Sequence, residues 1–337
     1  MRKKCRSEVE GRTVLADVVP INTPYVVGFF IGDVCNFKCK YCEHSFAGNV
    51  YDINKHLVPK FMDWDLFKKA VDQLKTFPRA IKKILFSSIG EPLLNKDLPR
   101  MISYVKTSGI TQFCEVVTNA SLLTHDLSRQ LIDSGLDRLC VSIQGVTAIK
   151  YKEICQVKID YDKLISELTY FYHYSRGKCK VHIKTVDIAL DKGDAEVFYQ
   201  QYGTISDTIN IDNVVPAFRN VDYSEMLEGN NIGLYGEPLG HRLVCPTVFY
   251  TLYILANGKV TTCCTPPYPM FLGNIADESL LNMWNGKKHT AFLRYQLEGK
   301  RIDHPICKEC VLPNMTNMYE DDLDNKCGEL LNKFAVK

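Results

Sequence analysis

Residues 25–218 alternate between short apolar runs and amphipathic stretches, the pattern of strands separated by helices. Apolar strand candidates lie at 25–31, 82–87, 113–118, 138–143, 180–187 and 207–215. Between them, Trp64, Phe67, Val71 and Leu74 in DWDLFKKAVDQL recur at helical spacing, and Asp63 is placed to cap the start. In THDLSRQLIDSG, Thr124 is the expected cap, Leu127, Leu131 and Ile132 the buried stripe, and Gly135 the left-handed stop. Six such repeats predict an α/β fold with a parallel sheet and helices outside it. Sheets of that kind bind ligands at the carboxyl ends of their strands.

Residues 1–24 read as an N-terminal extension, and 219–244, richer in Gly, Asn and Glu, as a linker or substrate-side loop. From 245 to 337 the character changes to a hairpin, a Pro-rich turn, short helices and a polar tail. Asn257-Gly258 marks the hairpin, and a two-residue turn there pairs Ala256 with Lys259 and Leu252 with Cys263. Alternation along that strand sends Cys263 and Cys264 to opposite faces.

The 337 residues suffice for one large domain and a smaller one, and 46% hydrophobic with 24% charged content is ordinary for a globular chain. A net charge of +2 gives no electrostatic case for nucleic acid or an anionic membrane as partner. The apolar run YVVGFFIG (25–32) is far short of a membrane span. No apolar segment follows the basic MRKKCRSEVEGR, so no secretory signal is read, and the cytoplasm is the default expectation.

Fourteen cysteines change the picture. A chain of this size needs no disulfide staples, and close cysteine spacings argue for metal. Cys5, Cys114, Cys140, Cys155 and Cys179 stand singly and are expected as small buried hydrophobes. Cys35, Cys39 and Cys42 in VCNFKCKYC follow the first strand directly, at a carboxyl end. One tight loop can wrap three thiolates around a four-iron cube and leave the fourth iron open. Zinc prefers four closed ligands, and His44 lies too close to Cys42 for a relaxed tetrahedral site.

This cysteine loop, with Tyr41 just before its last thiol, resembles the radical S-adenosylmethionine (SAM) superfamily. Three further motifs agree with the resemblance at the expected strand ends. Ser88-Ile89-Gly90-Glu91-Pro92 looks like GGEP, Thr118-Asn119-Ala120 like TNG, and Val141-Ser142-Ile143-Gln144-Gly145 like SIDG. The resemblance implies a partial (β/α)6 TIM barrel over 25–218 and a [4Fe-4S] cluster whose open iron is chelated by SAM. It implies SAM contacts from Tyr41, Gly90, Glu91, Asn119, Ser142 and Gln144. Reductive cleavage of SAM would then yield a 5′-deoxyadenosyl radical that abstracts hydrogen from a substrate C–H bond.

Cys245, Cys263, Cys307 and Cys310 form the second constellation. The Cys-x12-Gly-x4-Cys pattern, then LGNIADESLLNMWNGKKHTAFL and PICKEC, resembles the SPASM/twitch extension, implying an auxiliary Fe–S domain over 245–337. A full SPASM domain carries more cysteines. Thr316 and Glu320 stand where a third and fourth would follow, with Cys327 read as a bystander. Four ligands suit one fully ligated auxiliary [4Fe-4S] cluster, with structural zinc the alternative.

The cysteine spacing resembles twitch dehydrogenases of the 2-deoxy-scyllo-inosamine dehydrogenase kind. That implies an oxidoreductase acting on a hydroxylated small molecule, a sugar or aminocyclitol, with the auxiliary cluster taking an electron as a ketone forms. A reductant such as flavodoxin or ferredoxin is the implied partner. Lys184 and Asp187 on the fifth strand and Arg219 after the sixth are expected to face the substrate, with Lys184 and Arg219 the catalytic candidates. The alternatives are an epimerase in which the Cys264 thiol returns hydrogen, a peptide-modifying enzyme whose leader is presented by another protein, and an Fe–S or zinc-binding module without catalysis.

Overall fold

A computed structural model describes residues 12–45, 60–87, 89–227, 232–316 and 318–334 of the protein. Cys5, Ser88 and the first part of the N-terminal extension lie outside the described residues. The strands are β1 Val26–Phe29, β2 Lys83–Phe86, β3 Cys114–Thr118, β4 Arg138–Ser142, β5 Lys180–Val186 and β6 Thr208–Asp212, followed by β7 Thr251–Ile254, β8 Lys259–Thr261 and β9 Gly273–Asn274. They form one sheet in the order β6-β5-β4-β3-β2-β1-β7-β8-β9. The first six are parallel neighbours in chain order, and β6 does not pair with β1, so the repeats make an open, partial barrel.

Alternation along each strand separates two environments. Val27, Phe29, Ile84, Phe86, Cys114, Val116, Leu139, Val141, Val181 and Ile183 bury one face against the helices in the main core. The opposite face carries Glu115, Arg138, His182, Lys184, Asn210 and Asp212 (all but Arg138 and Lys184 fully buried), an unusually polar interior for a parallel sheet. There Glu115 pairs with Arg138 and, at 3.8 Å, with Lys83. Buried charges are costly to desolvate unless paired, and here Glu115 and Asp212 each have a cation beside them.

The helices begin where the caps predict. Asp63 accepts from the Asp65 and Leu66 amides at 2.9 and 3.4 Å, and the helix Trp64–Leu74 buries Phe67, Ala70, Val71 and Leu74. Thr124 caps His125–Asp133 through the Leu127 amide at 3.1 Å, and Gly135 follows at φ +92°. Trp64 and Leu127 are only partly buried, packed at the core's edge.

The hairpin differs from expectation. Tyr253 faces Thr261 and Ile254 faces Val260, one residue out of the predicted register. The Gly258 amide donates to Leu255 O (2.8 Å), and Leu255 N donates to Lys259 O (2.9 Å), with Gly258 at φ +81°. An extra left-handed residue therefore sits in the turn as a bulge, and a bulge shifts the pairing by one. Consequently β8 ends at Thr261, and the turn beyond it, rather than strand pleating, aims Cys263 and Cys264. The first hairpin strand also joins the barrel: β7 pairs with β1 in parallel, Val26 opposite Thr251.

Among the described residues no helix is long and apolar enough to cross a membrane.

Candidate active site

The loop after β1 brings Cys35, Cys39 and Cys42 together at the carboxyl end of the sheet. Their neighbours hold the loop from three sides. The Lys38 and Lys40 amides donate to Cys155 O and Ile154 O, both at 2.9 Å, at the end of the helix Ala148–Cys155. Asn36 donates to Ser121 Oγ at 2.8 Å and accepts from Asn119 Nδ2 at 2.9 Å. The Glu91 amide donates to Val34 O at 2.8 Å. The Phe37 amide points at Cys35 Sγ (3.4 Å), a contact that suits a thiolate better than a thiol.

Burial pushes the Cys35 and Cys42 thiols up to about 12, and Cys39, against the Cys155 thiol, well above its usual value. None of the described cysteines is in a disulfide. Among the described residues no group of three or more His, Cys, Asp or Glu side chains converges closely enough for a single metal ion. Zinc needs its donors about 2.0–2.3 Å from one point, whereas a four-iron cube places each thiolate on a separate iron. Three half-buried free thiols with an amide aimed at sulfur fit the cube.

Glu91 holds the motif loops to one another. Its Oε1 accepts from Leu93 N (3.0 Å) and Thr118 Oγ1 (2.5 Å), and its Oε2 from Asn119 N (2.8 Å). Burial raises its pKa, opposed by these three donors. Gly90 leaves no space for a side chain: a Cβ would stand 2.5 Å from both Gly32 O and Val34 O. Tyr41 donates to Gln144 Oε1 at 2.5 Å, and Gln144 Nε2 reaches Ser142 O at 3.3 Å, so two of the motifs meet.

Ala120 takes φ 60° where the resembling motif has glycine. A Cβ in that conformation costs about 1–2 kcal/mol, partly offset by the extra freedom glycine gives the unfolded chain. Ala120→Gly should therefore stabilise the protein by about 0.5–1 kcal/mol, read as a higher urea midpoint. A lower midpoint would count against strain at this turn.

Lys184, on the polar face of β5, pairs with buried Asp212 on β6 at 2.8 Å, and Asp212 also accepts from Asn210. Asp187 accepts from Val214 N and Ile188 N. Arg219 pairs with Glu309 at 3.1 Å and donates to the carbonyls of Pro305 and Ile306, beside Cys307.

Cys245 precedes β7 and Cys263 follows β8, and Cys263 packs at the Phe30 and Tyr268 cluster beyond β1. Cys245, Cys263, Cys307 and Cys310 line one cavity with Arg219, Gln296 and Arg301. Burial lifts Cys245 to about 12 and Cys307 to about 11, the latter opposed by Arg301, Gln296 and Arg219. Arg301 donates to Cys307 O (2.9 Å), Cys310 O (3.1 Å), Arg242 O (2.8 Å) and Leu243 O (3.3 Å). Cys264 lines a different cavity of about 570 Å³ with Lys83, Arg138 and Tyr253, although it stays near Cys245 and Cys310. Thr316 bonds Leu312 O, Glu320 pairs with Arg12, and Cys327 caps back onto Leu323 O, so each is engaged locally.

Residues with no motif also serve the site. Tyr223, from the segment read as a linker, is buried and donates to Tyr41 O at 2.8 Å. Asn36 was readable only as an intervening residue of the cysteine loop. Arg301 and Gln296 carry no local signature at all.

Residues 29–198 match the radical SAM superfamily, and residues 245–311 match SPASM, an iron–sulfur cluster-binding domain. The S-adenosyl-L-methionine-dependent 2-deoxy-scyllo-inosamine dehydrogenase of Niallia circulans is 25% identical over 87% of this chain and 94% of its own. A probable GTP 3′,8-cyclase of Methanococcus maripaludis is 34% identical over 36% of this chain, and the match spans only 36% of that relative's length. In the crystal structure of BtrN in complex with AdoMet and 2-DOIA, the fold is shared over 85% of this chain and 92% of that one, with a TM-score of 0.55 and 19% identity. Streptococcus suis SuiB bound to precursor peptide SuiA shares the fold over 91% of this chain and 74% of its own, with a TM-score of 0.61 and 15% identity.

Proposed function

The chain belongs to the radical SAM superfamily, and we propose that it oxidises a carbinol carbon of a hydroxylated small molecule, a sugar or aminocyclitol, to a ketone. The superfamily implies a [4Fe-4S] cluster and SAM, and the SPASM match implies auxiliary Fe–S binding. The observation that carries the reading is the convergence of four thiols on one cavity, separate from the three-thiol loop. The near full-length likeness to an aminocyclitol dehydrogenase supports the substrate class.

When bound, the open cluster with SAM supplies the hydrogen-abstracting radical, and the auxiliary cluster an electron acceptor. The chain's own residues hold and orient. Glu91 and Gly90 lock the second motif onto the cysteine loop, and Tyr41, Asn119, Ser142 and Gln144 position SAM. Lys184, charged and paired with Asp212, stands on the polar face where a carbinol oxygen would lie and lowers the cost of its ionisation. Abstraction removes one hydrogen atom from carbon. Loss of the hydroxyl proton and one electron then completes the two-electron oxidation. Flavodoxin or ferredoxin would supply the electron that cleaves SAM.

Cys264 favours a second reading, epimerisation, because its thiol lines a cavity next to the barrel interior. Product and 5′-deoxyadenosine from candidate aminocyclitols and sugars decide between them. One 5′-deoxyadenosine per ketone, unchanged in Cys264→Ser, supports oxidation. An inverted alcohol that disappears in Cys264→Ser while SAM cleavage persists would replace it with epimerisation. No release of 5′-deoxyadenosine at all would sink both.

A further inference from the structure

We infer that Gln296 donates a hydrogen bond to the auxiliary cluster and thereby makes it a readier electron acceptor. The inference rests on the reading that Cys245, Cys263, Cys307 and Cys310 hold that cluster. Gln296 lies on the helix Lys287–Leu297 and is 0% exposed. Its Oε1 accepts from the Cys245 amide at 3.2 Å. That contact fixes which end of the amide is which, since the flipped group would set two donors face to face.

The Nε2 donor is therefore turned away from Cys245 N, and it makes no full hydrogen bond among the described residues, its nearest acceptor being the Cys307 thiol, whose pKa its approach lowers. Leaving a buried amide donor unpaired costs about 1–3 kcal/mol, and each such group in a native structure calls for an explanation. Here the side chain lines the cavity shared by the four thiols. Sulfur is the acceptor available there once a cluster is present. Hydrogen bonds to cluster sulfurs and net charge set the potential. A donor stabilises the more negative, reduced state preferentially, so it raises the potential. Arg301 adds positive charge nearby, but four of its five N–H donors are engaged by backbone carbonyls, whereas the Gln296 Nε2 donor has no such engagement.

Redox titration of the loaded, full-length protein, followed by electron paramagnetic resonance and iron analysis, tests this. Added SAM perturbs the signal of the first cluster and so distinguishes it from the auxiliary one. Gln296→Met keeps the side chain's length and removes the donor. The expected result is full iron with the auxiliary cluster harder to reduce, by about tenfold in its reduction equilibrium or about 59 mV for one electron. Full iron with an unchanged auxiliary potential overturns the inference. If the Met variant loses auxiliary iron, Gln296→Glu decides, because it retains an acceptor for the Cys245 amide. Because the added carboxylate lowers the potential by charge alone, the Glu variant is read by pulsed electron paramagnetic resonance with 15N-labelled glutamine side chains. A 15N coupling to the auxiliary cluster present in the wild type and absent in Gln296→Glu supports the inference. No such coupling in the wild type overturns it, and iron lost in both variants overturns it by assigning Gln296 a purely structural role. Wild-type protein with about four irons and only a SAM-responsive signal would instead overturn the auxiliary-cluster reading beneath it.

Discussion

Gly90→Ala is expected to abolish the first cluster while leaving the second intact. The added Cβ would lie 2.5 Å from Gly32 O and Val34 O and 2.7 Å from Val34 N. All three are backbone atoms, so no side chain can swing aside. Val34 immediately precedes Cys35, and its carbonyl already accepts from the Glu91 amide. Relief therefore requires moving either the cysteine loop or the Glu91 loop, and Glu91 is held by three donors, Leu93 N in its own turn and Thr118 and Asn119 at the end of β3. Overpacking of this kind costs about 1–3 kcal/mol, which a fold can survive and a cluster loop cannot absorb without displacing its thiols. Iron should fall from about eight to about four per chain, and 5′-deoxyadenosine release should vanish. Full iron with normal SAM cleavage would show that this close approach is not what seats the loop.

Arg301→Met should produce the complementary loss. The guanidinium is 6% exposed and serves four backbone carbonyls, two of them on the cysteines at 307 and 310. Methionine fills much of the volume but leaves those acceptors unpaired, a cost of roughly 3–5 kcal/mol. The loop carrying the last two thiols then loses its tie to Arg242 and Leu243, which lead into Cys245. Auxiliary iron should drop out, leaving about four per chain. SAM cleavage should continue with ketone formation greatly reduced, because the last electron has no acceptor. Arg301→Lys should rescue only partly, since one ammonium cannot reproduce a planar fork. A Met variant with full iron and unchanged product yield would remove Arg301 from this role.

Much of the barrel was legible because its signals are local. The caps Asp63 and Thr124, and the left-handed stop at Gly135, act within one turn of chain, so they read the same in sequence and structure. The hairpin shows the limit. Asn257-Gly258 marked its position, yet two turn geometries accept that dipeptide, and the bulge at Gly258 moved the register by one.

By itself, the amino-acid order determined the three-thiol loop, the six β–α repeats and the motif segments at their strand ends, because each depends on spacing over a few residues. Tertiary structure alone decided which distant groups share a site. Glu91 meets Thr118 and Asn119 only because β2 and β3 are neighbours, and Lys184 meets Asp212 only because β5 and β6 are. Arg219 braces the cysteine loop at 307, and Arg301 and Gln296 reach the backbone of Cys307 and Cys245 from elements with no signature of their own. Such contacts arise from packing whole elements against one another, and no window of sequence contains both partners and the geometry that joins them.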